Sequence, residues 1–286
     1  MSTRPTRDEE AAQRPPLPML EIVTTAYNLL LAHPRAWLTA LVVPLLIEIA
    51  ATAGFLALYG EALNRVPIDP SAIAGPVFYA RFAGLILCLM IAYVFFAVSW
   101  HRFALLGPGE RPRLLPAVLG RHMRFGWMSF LVLLLVLLAM LVPLVALILA
   151  QVESLIAILL AVTLTVALFV RWQLIFPAIA LDRPIGFGQA WRLSRGHGLT
   201  LFWGFVLASL PWALANAVLT DLTQPLQNRF VVTGAQPLEA LGAMLLGSLL
   251  DYASLAVVVG MLSGTYRHLV LAAESPAALP NALPSG

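Results

Sequence analysis

The chain has 286 residues, 60% of them hydrophobic and only 11% charged, with 17 basic residues against 14 acidic ones. So few charges could not cover a water-soluble domain, which excludes that class and points to the bilayer. Every basic residue is an arginine, whose planar fork suits phosphate and carboxylate groups.

In chain order, residues 1–16 (MSTRPTRDEEAAQRPP) are polar and charged, lack the apolar core of a cleavable signal and read as a disordered tail. Met19–His33 follows as an amphipathic helix, with Glu21, Thr24, Thr25 and Asn28 opposite Met19, Ile22, Val23, Tyr27 and Leu30. A helix needs about 20 apolar residues to cross the hydrocarbon core. Six stretches qualify, at 36–59, 82–104, 125–150, 153–176, 199–220 and 240–265. Residues 125–181 are nearly one apolar block, too long for a single crossing. Its polar break, Gln151-Val152-Glu153-Ser154, reads as a tight turn between two antiparallel helices. Two more amphipathic segments precede the third and fifth spans. In 113–124, Arg113, Arg121 and Arg124 oppose Leu115, Val118, Leu119 and Met123, with Pro116 and Gly120 interrupting. In 185–197, Gln189, Arg192 and Arg195 oppose Phe187, Ala190, Trp191 and Ser194. All three read as helices lying in a membrane interface. The tail 271–286 is again rich in Pro and Ala and reads as disordered.

The fold class is therefore all-α: a polytopic membrane domain over 17–270, with six transmembrane helices, interfacial helices and two outer tails. Arginine placement gives its orientation. Only Arg65, Arg81 and Arg229 fall on one side of this threading, and the other 14 of the 17 fall opposite. The positive-inside rule makes the rich side cytoplasmic, with both chain ends there. Trp37, Trp127 and Trp203, near the starts of spans one, three and five, and Trp100 and Trp172, near the ends of two and four, are expected at the interface.

A repeat is visible in outline. Pro112 follows Trp100, and Pro184 follows Trp172, at the same interval, each proline preceded by an acid and an arginine. Proline suits the first turn of a new helix and an acid its N-terminus. The expectation is a threefold unit of one interfacial helix and one two-span hairpin. The run SWHRFALLGPGERP (99–112), the run RWQLIFPAIALDRPIGFGQAWRLSRGHG (171–198) and the late TYRH (265–268) resemble a bacterial group of six-span inner-membrane proteins. That group includes the membrane domain fused to some glycerophosphoryl diester phosphodiesterases. The resemblance spans about residues 18–270 and implies a bacterial inner-membrane location. The group's phosphodiesterase activity belongs to a separate soluble domain with no counterpart here.

Two acids fall at membrane depth, Glu48 in the first span and Asp251 in the sixth. A charge there costs on the order of 3 kcal/mol by insertion scales, so such residues face the protein interior and serve either function or helix packing. Arg171, between Val170 and Trp172, either snorkels or pairs with an acid or a lipid phosphate. Arg102, Arg111, Arg183, Arg192 and Arg195 make a candidate face for anionic headgroups or a partner. Gly260-Met-Leu-Ser-Gly264 has the small-xxx-small spacing that packs another helix, and Pro44, Pro143 and Pro211 interrupt three spans. The lone Cys88 permits no disulfide within the chain, and His33, His101, His122, His197 and His268 lack ligand spacing, so no metal or other cofactor is expected. No nucleophile elbow, HExxH or phosphate loop occurs, so no catalytic residue is assigned. The expectation is a non-enzymatic inner-membrane protein that engages anionic lipid, a membrane protein partner or a second copy of itself, and no nucleic acid. The alternative is a small transporter or channel built on Glu48 and Asp251.

Overall fold

The computed structural model of the chain describes residues 16–64, 75–107, 109, 119–149, 155–233 and 237–271. The expected turn at 151–154, Arg111, Arg113 and most of both tails lie outside the described residues. Among those described, every regular element is helical: α1 (Met19–Ala32), α2 (Pro34–Asn64), α3 (Pro76–Leu106), α4 (Leu119–Leu149) and α5 (Leu155–Trp172). After these come α6 (Ile175–Ala180), α7 (Phe187–Leu193), α8 (Gly198–Thr233) and α9 (Pro237–Tyr266), which ends in a π-helical turn, Arg267–Leu271. Six of these stretches are long and apolar enough to cross a membrane: α2, α3, α4, α5 with α6, α8, and α9 with its last turn. The chain is a multi-pass, all-α membrane protein.

Neighbouring spans pair as α2 with α3, α4 with α5 and α8 with α9. Helix α9 is the centre, packed by α1, α2, α3, α6 and α8. It buries 44% of its most apolar stretch inside the protein, whereas α4 buries 6% and turns Leu134, Leu137, Leu141 and Val142 outward. An apolar surface of that extent is stable only against hydrocarbon. Against α9, Phe96 of α3 packs on Tyr252 and the indole N–H of Trp100 donates to the Ala256 carbonyl at 2.8 Å. Trp100 is fully buried, so it is a core residue and not the interfacial one expected. Next to it, Ser263 donates its hydroxyl proton to the Val259 carbonyl, which leaves its oxygen to accept from His101 Nδ1 at 2.8 Å.

Helix α1 splits as its sequence predicts. Met19, Ile22, Val23, Ala26 and Leu30 are buried, while Glu21, Thr24, Thr25 and Asn28 are exposed. The apolar face is covered by protein, lying lengthwise in the groove between α8 and α9. Glycines make this possible. A Cβ on Gly260 would stand 3.1 Å from the Ala26 Cβ and 3.4 Å from its Cα, and one on Gly264 would stand 2.9 Å from Ile22 Cγ2. Met19 fills the space that Gly204 leaves on α8. The Gly260–Gly264 pair thus packs a helix, as its spacing suggested. Tyr27 completes the seam by donating to the Ala208 carbonyl at 3.1 Å and stacking on Trp212.

Two elements depart from the expected boundaries. Residues 119–124 belong to α4 itself, so Arg121 and Arg124 ride the first turns of a span and Gly120 breaks nothing. The fourth span is not one helix: it stops at Trp172, turns through Gln173–Leu174 and restarts as α6. Pro177 is the cause. It has no N–H to offer the carbonyl four residues back and its ring would clash there, but it is tolerated in the first turn of a new helix. Every residue from Gln173 to Ala180 is buried, wedged among α3, α4 and α9. Replacing Gly260 by Val must push the α1 backbone away and should cost about 1–3 kcal/mol. Gly247, whose added Cβ would meet nothing within 4 Å, is the control, and its Val variant should unfold in detergent within about 0.5 kcal/mol of the parent.

Candidate functional site

Polar residues collect in two places. The first is the mid-length of the bundle. Glu48 lies 14 residues into α2, about 21 Å along the helix, and Asp251 lies 15 residues before the end of α9. Their surroundings are shared. Ser248, one turn before Asp251, donates to Glu48 Oε1 at 2.6 Å, and the Asn216 amide on α8 donates to Asp251 Oδ1 at 2.5 Å. The Tyr252 hydroxyl also hydrogen-bonds Glu48. Three spans thus bring two carboxylates, an amide and two hydroxyls to one level. The two acids singled out in the sequence do converge. Ser248, Asn216 and Tyr252 were not foreseen, and their only signal was polarity inside an apolar span. Such a network can join helices or carry a proton or cation, and each carboxylate already has at least one donor from a neighbouring helix.

The second place is the end of the bundle where the arginines gather. Arg171 leaves α5 and lays its guanidinium over the Trp191 ring of α7 at 4.3 Å to the centroid, a cation–π contact. It also fills the space beside Gly198, which has no side chain to obstruct it. Among the described residues Arg171 is paired with the Trp191 ring and with no acid. Trp172 meets Phe187 edge-on at 5.5 Å, so α7 is pinned to α5 by two aromatic contacts. Buried Ala190 and Ser194 leave Gln189, Arg192 and Arg195 exposed on the opposite face, and Arg183 is exposed just before α7. Beyond it, Leu199 and Trp203 stand 71% and 54% exposed at the start of α8.

Arg102 does not join that outer face. It turns inward and donates from Nη1 to the Ala180 carbonyl at 2.9 Å, with Asp182 Oδ2 at 3.9 Å. Arg121 grips the same carboxylate with a two-pronged hydrogen bond, Nε to Oδ1 at 2.8 Å and Nη2 to Oδ2. Arg121 and Asp182 were not assigned a site in the sequence. Asp182 was expected to start a helix, but α7 begins at Phe187 and Asp182 instead closes α6. Its N–H bonds the Ile179 carbonyl at 3.0 Å, and the Arg183 N–H bonds the Ala178 carbonyl at 2.9 Å. This is a Schellman termination, whose left-handed residue is usually glycine. Asp182 takes that conformation with φ 60°, at a cost of roughly 1–2 kcal/mol relative to glycine. The pattern Leu-Asp-Arg-Pro after a buried apolar run was the available signal, since proline commonly follows such a cap.

No family model, curated protein or solved structure matches the chain.

Hydrogen bonding from Arg121 holds the Asp182 carboxyl below the ordinary 3.8, outweighing partial burial, and the charges of Arg121, Arg102 and Arg124 add to the effect. A carboxyl lowered in the folded state contributes stability that is present above its unfolded value and is lost as pH falls through the folded one. The gap in thermal stability between the parent and Asp182→Asn should therefore hold steady from neutral pH to about pH 5. It should close only below the ordinary 3.8.

Proposed function

We propose that this chain is a non-enzymatic protein of the bacterial inner membrane, with both ends in the cytoplasm, that engages anionic lipid through its arginine-rich face. One observation carries the reading. Arg183, Arg192 and Arg195 are exposed together on the short stretch between α6 and α8, beside the exposed side chains of Leu199 and Trp203. Basic heads beside amphipathic and apolar side chains suit the headgroup layer, where each arginine contributes about 1 kcal/mol toward an anionic surface. The orientation is supported by the uneven arginine count, and the inner membrane by the resemblance carried by 99–112, 171–198 and 265–268. The same face could receive an acidic segment of a membrane protein partner or of a second copy.

A second reading, a small transporter or channel, is favoured by the meeting of Glu48 and Asp251 with Asn216, Ser248 and Tyr252 at mid-bundle. One comparison separates the two. The parent, the Arg183→Gln/Arg192→Gln/Arg195→Gln variant and the Glu48→Gln/Asp251→Asn variant are each examined by native mass spectrometry after gentle extraction. Each is also reconstituted in vesicles loaded with a pH-sensitive dye. Lipid engagement predicts that the arginine variant loses retained anionic lipid, by up to about a hundredfold if the contributions add, while the acid variant keeps it. Unchanged lipid on the arginine variant would refute it, and proton flux abolished by the acid variant would establish the transporter.

A further inference from the structure

Three elements meet around one arginine. Arg171 stands in the last turn of α5, and its guanidinium lies over the Trp191 ring of α7 and against Gly198, the first residue of α8. Among the described residues it has no hydrogen bond and no ion pair. The face of an indole steadies a positive charge but offers no lone pair. The stack therefore leaves the five N–H donors of the guanidinium without an acceptor among those residues. A half-buried cation in that state is best matched by an anion with several oxygens, and a phosphate accepts from the planar fork in pairs.

The guanidinium is held from two sides. On one, Trp191 is fixed by its own helix: the Ser194 hydroxyl donates to the Trp191 carbonyl at 3.1 Å, Ala190 is fully buried, and Phe187 meets Trp172 edge-on. On the other, Gly198 leaves room that any side chain would take. A Cβ added there would stand 2.8 Å from Arg171 Cζ and closer still to Nε and Nη2. Donors already fixed in place lose less freedom on binding than the exposed side chains of Arg192 and Arg195 beside them. Just beyond Gly198, Leu199 and Trp203 are exposed, and residues four apart share one face of a helix. Tryptophan in that position suits the headgroup level of a bilayer. The acyl chains of a bound phospholipid would cover this face, whereas a free anion would leave it bare.

We propose that Arg171, clamped between Trp191 and Gly198, binds the phosphate of an anionic phospholipid whose acyl chains run along Leu199 and Trp203. Arg192 and Arg195 draw the headgroup in, and Arg171 fixes its position. The site rests on the reading of this face as lipid-engaging, and it adds one defined seat to the more open surface of Arg183, Arg192 and Arg195.

The test titrates the full chain with phosphatidylglycerol in mild detergent and counts bound lipid by native mass spectrometry. Arg171→Gln removes the charge, and Arg171→Lys keeps the charge without the fork. Gly198→Ala keeps every charge, and its methyl meets the movable end of the Arg171 side chain first, so it displaces the guanidinium at little cost to the fold. Arg171→Gln and Gly198→Ala should each weaken binding of the first phosphatidylglycerol by roughly fivefold, with Arg171→Lys between them and the parent. Gly188→Ala on α7, whose Cβ would meet nothing within 4 Å, should match the parent. Circular dichroism and the thermal transition establish that each variant is folded. Folded Gly198→Ala and Arg171→Lys with parental affinity would overturn the seat and leave Arg171 as one charge among several. Displacement of the bound lipid by millimolar inorganic phosphate would assign the site to the soluble anion and overturn the lipid. If the Arg183/Arg192/Arg195 variant sheds lipid while the Arg171 and Gly198 variants match the parent, only the seat fails. If every variant matches the parent, the lipid reading fails with it.

Discussion

Inside hydrocarbon a backbone N–H or C=O has no water to turn to, so the chain must satisfy each of these groups within its own helices. The architecture follows from that constraint. Six spans close their own hydrogen bonds, and the break between α5 and α6 at Gln173–Leu174 is buried among α3, α4 and α9 and not left facing lipid. The free groups at the far end of α6 are taken up in the same way, by the turn through Asp182 and by the Arg102 guanidinium on the Ala180 carbonyl. Trp100 and Tyr27 likewise aim their polar hydrogens at carbonyls of α9 and α8.

With hydrophobic transfer contributing little between helices already in lipid, close packing holds them together. That explains why α9 is the hub. Its small residues, Ala256, Gly260 and Gly264, let Trp100 and α1 approach its backbone closely. The π-helical turn after it lets Arg267 reach the Ala104 carbonyl at the end of α3. The stretches around Trp100–Phe103, Gln173–Asp182 and Thr265–His268 lie on α3, α6 and α9, which pack together here. Much of what they encode is packing between α3, α6 and α9. Polar side chains that packing does not consume remain in two places, the Glu48–Asp251 network and the arginine-rich end of the bundle.

Much of this was legible in the sequence because the bilayer imposes strong periodic and compositional signals. The six spans, the buried and exposed faces of α1 and the packing role of Gly260 and Gly264 follow from apolar run length and helical spacing. The depth of Glu48 and Asp251 was equally plain from counting residues. Their meeting was not, because it depends on how α2 and α9 pair across 200 residues of chain. Trp100 was misjudged because interfacial tryptophan and core tryptophan look alike beside a helix end. The role of Asp182 in closing α6 was hidden for a similar reason: an acid before Arg-Pro reads as a helix start, and only the left-handed turn reveals it as the end of the helix before.

The account stands on the threading: six crossings, with the arginine-rich end of the bundle in the cytoplasm. Dual reporter fusions, alkaline phosphatase and green fluorescent protein, placed in turn after Ser2, after Gly286 and in the segment 65–74 between α2 and α3, test it directly. Fluorescence without phosphatase activity at both ends, and phosphatase activity without fluorescence at 65–74, is the result the account predicts. Ends reporting from opposite faces, or phosphatase activity at both, would contradict it and strip the arginine face of its lipid-facing meaning.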